Sequence, residues 1–136
     1  MAKLIVTGGL GFIGSNLIEL LLKKGHFVIN IDKVSYSSNF YNTRSFSKSK
    51  NYKFIKTDIA NRNKIQKIVK KYKPTCIFNL AAETHVDRSI DKSDSFLRSN
   101  IFGVHSLLEV LIKNRKVKLI HISTDEVYGS VNGKSR

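Results

Sequence analysis

The chain is 136 residues long and 15.4 kDa, which fits one domain at about 100–200 residues each and excludes a second large one. Hydrophobic residues make up 41%, enough for a chain of this size to bury roughly two-thirds of its unfolded surface, so wholesale disorder is excluded. A balance of 24 Lys and Arg against 10 Asp and Glu leaves a formal charge of +14 and a pI near 10.0, which fits either a Lys-rich solvated surface or an anionic partner.

The first strand is predicted over Lys3–Thr7. The opening MAKLIVTGG is too short for a signal-peptide core, and no apolar run approaches the roughly 18 residues of a membrane span. Then comes Thr7-Gly8-Gly9-Leu10-Gly11-Phe12-Ile13-Gly14. Gly8, Gly11 and Gly14 stand three apart, and Gly9, Gly11 and Gly14 satisfy GxGxxG. Glycines at this spacing let the chain turn sharply out of a strand, bring backbone N–H groups up to a pyrophosphate, and pack helix closely on sheet. A helix follows over 12–24, with Ile13, Leu17, Leu20 and Leu21 as its apolar face and Gly25 as its stop. The second strand, Phe27–Asp32, ends in an acid 18 residues beyond Gly14, near the spacing of a carboxylate that accepts from a ribose 2′-hydroxyl. A bare GxGxxG is weak evidence; one preceded by a strand, followed by a helix and answered by such an acid is strong. Asp32 would repel a 2′-phosphate, which favours NAD over NADP, while Lys33 and Arg44 would soften that preference.

The stretch 33–51 is rich in Ser, Asn and Tyr and reads as a long loop with at most one short helix. The third strand, 52–57, runs into Asp58 and Ile59; Asp58 is either an acceptor for an adenine edge or the N-cap of the next helix. That helix, 61–72, turns Ile65, Ile68, Val69 and Tyr72 inward and Lys64, Lys67, Lys70 and Lys71 outward, and Pro74 closes it. No aromatic residues interleave with those lysines to stack on bases, so no specific nucleic-acid partner is expected. The fourth strand, 75–80, contains Cys76, the single cysteine. With no second thiol for a disulfide or a metal site, it points to a reducing, cytoplasmic setting. The strand runs into Leu80-Ala81-Ala82-Glu83-Thr84-His85-Val86-Asp87-Arg88, where small residues permit close approach of a cofactor and a polar cluster follows.

Ser93 is the expected N-cap of a long helix carrying Phe96, Leu97, Ile101, Val104, Leu108 and Leu111 on its apolar face. The fifth strand, 117–123, leads into Thr124-Asp125-Glu126-Val127-Tyr128-Gly129. Two adjacent carboxylates at a cleft mouth can divide acid and base roles, or simply start a helix. His26, His105 and His121 lack metal-ligand spacing and read as structural, no metal site is expected, and His85 alone is placed to touch a substrate. The alternation of strands and helices predicts an α/β doubly wound parallel sheet of Rossmann type with about five strands, its ligand at the carboxyl ends of the strands.

With these segments assembled, the sequence resembles the extended short-chain dehydrogenase/reductase superfamily, and within it the dTDP-glucose 4,6-dehydratases. TGGLGFIGSN is shared across the superfamily; NIDKVSY, NLAAETHVDRSI and ISTDEVYG are more specific. The resemblance covers essentially the whole chain. It implies NAD as cofactor, with Phe12 and Ile13 over the pyrophosphate, Asp32, Lys33, Val34 and Ser35 around the adenosine ribose, and Asp58 and Ile59 at the adenine. Leu80, Ala81, Ala82, Glu83 and Thr84 would line the nicotinamide side, and Ser99 would also face the cofactor. Thr84, His85 and Thr124 would reach the sugar of dTDP-glucose. It also implies oxidation at C4 of the glucosyl ring, loss of water across C5 and C6, and reduction at C6, with Asp125 protonating the departing hydroxyl, Glu126 removing the C5 proton, and a full-length homodimer.

The family's Tyr and Lys four residues apart have no counterpart here. The single match, Tyr52 to Lys56, lies in a strand that would separate the two by about 13 Å. The expectation is therefore an N-terminal, cofactor-binding portion (1–136) that is inactive alone and poorly soluble through the outer edge of the fifth strand. The rival readings are another nucleotide-sugar epimerase, decarboxylase or dehydratase of the superfamily, which the Asp125-Glu126 pair disfavours, and a non-catalytic dinucleotide-binding module.

Overall fold

A computed structural model describes residues 1–84 and 93–129 and, for Asp125 and Glu126, the backbone alone. Strands β1 (Lys3–Thr7), β2 (Phe27–Asp32), β3 (Tyr52–Lys56), β4 (Cys76–Asn79) and β5 (Lys118–His121) alternate with helices α1 (Phe12–Lys23), α2 (Arg62–Tyr72) and α3, which runs over 93–112. All neighbouring strands pair in parallel, in the order β3-β2-β1-β4-β5. The doubly wound sheet is therefore present as expected. Its connections leave β1 in both directions, so the carboxyl ends of β1 and β4 diverge into a crevice.

The period of two in a strand sends successive side chains to opposite faces, and each face has its own core. Ile5, Ile29, Ile31 and Ile77 meet Ile65, Ile68 and Val69 of α2 and Leu107 and Val110 of α3. Leu4, Val6, Val28 and Cys76 meet Ile18 and Leu21 of α1 and Phe46 of the loop after β2. That loop contains one short 3-10 turn, Phe40–Thr43, and Phe46 pins it down. The α2 boundary has a local cause at each end. Asn61 caps it by accepting from the Lys64 amide, and Lys73 leaves it in the left-handed region, just before Pro74.

Two helix faces differ from the periodicity reading. In α1 the buried residues are Gly14, Ser15, Ile18 and Leu21, while Ile13 and Leu20 are exposed. At Gly14 the helix lies close on the glycine loop, with no room for a Cβ beside Gly8 and Gly9, and Ile13 lines the crevice instead of the core. In α3 an α-helical turn, Ser93–Phe96, passes into a π-helical segment, Leu97–Phe102, and then into α-helix again, Gly103–Ile112. A π turn takes one residue more than an α turn, so a 3.6-residue stripe drawn through it changes face. Ser99, Gly103, Ser106, Leu107 and Val110 pack inward, and Leu97, Ile101 and Leu108, expected inward, are exposed. Gly103 lies against Ile59, where a Cβ would collide with the isoleucine side chain.

Ile77, fully buried between β1 and β5, is expected to cost about 2–5 kcal/mol when replaced by Ala. Leu108→Ala on the exposed face of α3 should stay within about 0.5 kcal/mol. Urea unfolding of the two variants checks the assignment of faces.

Candidate functional site

The crevice is a cleft of about 540 Å³ at the carboxyl ends of the strands. Its walls bring together Gly8, Gly11, Phe12, Ile13 and Gly14 from the glycine loop, Asp32, Lys33 and Ser35 after β2, and Asp58 and Ile59 after β3. Leu80, Ala81, Ala82 and Thr84 follow from β4, Ser99 from α3, and Thr124 from the end of β5. Ile31, Ser37, Ser38, Thr57, Ile122 and Ser123 also line it and were missed by sequence reading; Ser37 and Ser38 carried a signal in their nearness to Asp32. Val34 and Glu83 are not among the lining residues. His85 lies outside the described residues, and Asp125 and Glu126 fall in a 3-10 turn, Asp125–Tyr128, directly after Thr124.

The glycine loop is shaped by close approach. Gly8 sits at φ 69°, and a Cβ on it would stand 2.9 Å from the Ala81 backbone. At Gly14 a Cβ would strike the Gly8 carbonyl and the Gly9 Cα. The Gly11 amide donates to that same carbonyl at 3.1 Å. Gly11 is the N-cap of α1 and no side chain caps it, so the positive end of the helix faces the cleft with backbone N–H groups for an anion.

Asp32 is nearly buried and its carboxylate is held from several sides. Oδ2 accepts from the Leu10 amide at 3.1 Å, and Oδ1 accepts from the Val34 amide and the Ser38 hydroxyl, each at 2.8 Å. Val34 adopts φ 63°, a strained conformation for a β-branched residue, and in it delivers its N–H to Asp32. The next acid, Asp58, accepts from the Ala60 amide at 2.9 Å and from Arg98 Nε at 2.8 Å. Its N-cap alternative is closed, because Asn61 fills that role.

Behind the cleft wall, buried Glu83 accepts from Lys33 Nζ at 2.6 Å, and the same ammonium donates to Ser99 Oγ at 2.8 Å. Asn100 clasps the Glu83 backbone, accepting from its N–H and donating to its C=O at 2.9 Å each. The π-helical segment of α3 thus presents Arg98, Ser99 and Asn100 to three different groups around the site. Under the loop, Thr7 Oγ1 donates to Asn79 Oδ1 and accepts from the Ala81 amide at 3.2 Å. Asn79 Nδ2 lies 2.9 Å from His121 Nδ1, which gives His121 its structural partner. Among the described residues no cluster of His, Cys, Asp or Glu could hold a metal ion, and no helix is long and apolar enough to cross a membrane.

This is the architecture of a dinucleotide-binding protein: a parallel doubly wound sheet, a glycine loop leading into an uncapped helix, and an acid at the end of β2. Residues 5–135 match the family model described as GDP-mannose 4,6 dehydratase, and the chain belongs to that family. The dTDP-glucose 4,6-dehydratase of Haemophilus influenzae is 43% identical over 142 residues, covering 97% of this chain and 42% of that protein. The crystal structure of dTDP-glucose 4,6-dehydratase from Bacillus anthracis in complex with NAD superposes with a TM-score of 0.88 at 36% identity, covering 100% of this chain and 42% of that one. The enzyme of the same name from Streptomyces venezuelae, with NAD bound, gives 0.89 at 33%, covering 98% and 43%. The chain spans about two-fifths of the length of the curated relatives it matches.

Beneath the glycine loop Asn30 Nδ2 donates to the Tyr52 hydroxyl at 2.9 Å. Burial pushes the Tyr52 phenol above its ordinary value; the bond to Asn30 pulls it down and the charge of Asp32 adds to the rise. Because the folded state holds this proton more firmly, the contribution to stability is complete below about pH 10 and is lost as pH rises through the folded pKa. Ultraviolet titration should show one tyrosine ionising after the others, and Tyr52→Phe should remove that late component at a cost of about 1–3 kcal/mol from the stranded Asn30 amide.

Proposed function

We propose that the chain is the NAD-binding part, residues 1–136, of a dTDP-glucose 4,6-dehydratase whose sugar-nucleotide domain belongs to the rest of the parent protein. The observation that carries the reading is the continuity of one cleft from the glycine loop, past Asp32, to Thr124, the residue before Asp125 and Glu126. The residues present fit the cofactor. Gly8 and Gly14 leave a backbone cradle that a Cβ would fill, and among the described residues Asp32 Oδ2 accepts from the Leu10 amide alone, which leaves it a lone pair for a ribose hydroxyl. NAD, when bound, supplies reversible hydride transfer.

The chain's own residues then act around it. The loop amides and the start of α1 meet the diphosphate, Asp32 fixes the ribose, Asp58 and Ile59 bound the adenine, and Leu80, Ala81, Ala82 and Thr84 flank the nicotinamide. Val34 and Glu83 serve this site from behind, through Asp32 and Lys33. Thr84, His85 and Thr124 hold the sugar. Asp125 gives its proton to the C6 hydroxyl as it leaves, and Glu126 takes the proton from C5, which a 4-keto group makes acidic. The parent works as a cytoplasmic homodimer, with no nucleic-acid partner, and the positive surface attracts an anionic nucleotide-sugar.

Asp32→Ala should raise the NAD dissociation constant of this chain about 10- to 100-fold, the equivalent of one charge-assisted hydrogen bond, by calorimetry. Unchanged affinity would remove the ribose assignment. In the parent enzyme, Asp125→Asn and Glu126→Gln should each lower kcat for the 4-keto-6-deoxy product by about 10²–10⁴ with NAD affinity within twofold of wild type. Turnover of dTDP-glucose by the 136-residue chain alone would show that the Tyr and Lys of the family are dispensable.

A further inference from the structure

The sequence places Lys33 immediately after the ribose-binding acid, where an ammonium would ordinarily reward a 2′-phosphate. Consecutive Cα atoms are about 3.8 Å apart, and Lys33 lines the same cleft as Asp32, Ser35, Ser37 and Ser38. The loop is otherwise furnished for a phosphate. Ser35 Oγ and Ser37 Oγ stand 3.0 Å apart at the surface, two hydroxyls that can each donate to an anionic oxygen. The ammonium, however, is engaged by other partners. It lies 2.6 Å from Glu83 Oε1 and 2.8 Å from Ser99 Oγ. The Glu83 side chain is 6% exposed against 33% for that of Lys33, so the acid is fixed and the lysine comes to it. Asn100 locks the Glu83 backbone on both its N–H and its C=O, leaving the carboxylate little freedom to follow a departing lysine.

We infer that Glu83 is a specificity-determining residue: by holding Lys33 against Ser99 it withholds the lysine charge from the adenosine 2′ position, and so sets the preference for NAD over NADP jointly with Asp32. This deepens the NAD reading above and rests on it. Glu83 need not touch the dinucleotide to act in this way, which accounts for a buried acid behind a cofactor wall. Without its charged partner the Lys33 ammonium is free to swing toward Asp32 and the serines, where a 2′-phosphate offers it a charge-assisted hydrogen bond.

The test is calorimetric titration of this chain with NAD and with NADP, read as the ratio of the two dissociation constants. Wild type should bind NAD the more tightly. Glu83→Gln should shift the ratio toward NADP by at least about tenfold, and adding Lys33→Met to it should return the ratio to within about threefold of wild type. A merely structural role for Glu83 would weaken both dinucleotides together and leave the ratio where it was, which overturns the proposal. If Glu83→Gln does not fold, as judged by circular dichroism, Lys33→Met alone decides: a lysine already withheld can be removed with less than about threefold change in the ratio, whereas a selective tenfold loss of NADP affinity would show that it reaches the phosphate in the wild type. Failure of wild type to bind either dinucleotide overturns the NAD reading and this inference together, an outcome distinct from two dinucleotides binding in an unaltered ratio.

Discussion

The close approach of the β1 turn to the end of β4 is the constraint from which the rest of the site follows. Gly8 and Ala81 bring two backbones to a separation that leaves no room for a side chain on the first. Only then can Thr7 reach both Asn79 and the Ala81 amide, and only then does α1 start with its free amides over the crevice. The parallel pairing of β1 with both β2 and β4 makes this the point where crossovers diverge, and diverging crossovers leave a gap that no core side chain fills. Packing and function meet there: the glycines that let the elements touch are the ones that leave a cradle.

Around that gap the acids are placed with care in a chain that has few of them. Asp32, Asp58 and Glu83 are each held by N–H groups, hydroxyls or cations, so their charges are directed instead of diffuse. The lysine excess lies largely elsewhere. Lys64, Lys67, Lys70 and Lys71 lie on α2, whose buried residues are Ile65, Ile68 and Val69. A net +14 therefore describes the outside of the molecule, and the cleft has its own local balance. Lys33 lines that cleft, and its geometry is decided by a buried partner fifty residues further along the chain.

The π-helical segment of α3 shows how a local irregularity serves the site. Six residues wound more widely than an α-helix aim Arg98 at Asp58, Ser99 at Lys33 and Asn100 at Glu83. A regular helix separates consecutive side chains by about 100° and sends them to different faces. The extra residue costs hydrogen-bond geometry and is tolerated because three side-chain contacts and the packing of Gly103 on Ile59 hold it. It also explains why Leu97, Ile101 and Leu108, read inward at 3.6-residue spacing, are exposed, while Leu111 of the same stripe packs against the core.

Sequence alone determined the order of strands and helices, the parallel doubly wound sheet, the glycine loop and the acid at the end of β2, because each rests on local chemistry: strand period, helix stops, and glycine where a side chain has no room. It also determined most of the cleft, since in this fold the residues after each strand must converge. Tertiary structure decided what local pattern does not encode. Gly14 sets how closely α1 approaches the glycine loop, and Gly103 how closely α3 approaches Ile59. Asn61 took the cap that was one of the two roles open to Asp58, and Lys33 turned to Glu83 instead of to the ribose. These outcomes depend on distances between segments far apart in the chain, which spacing along one strand or helix cannot express.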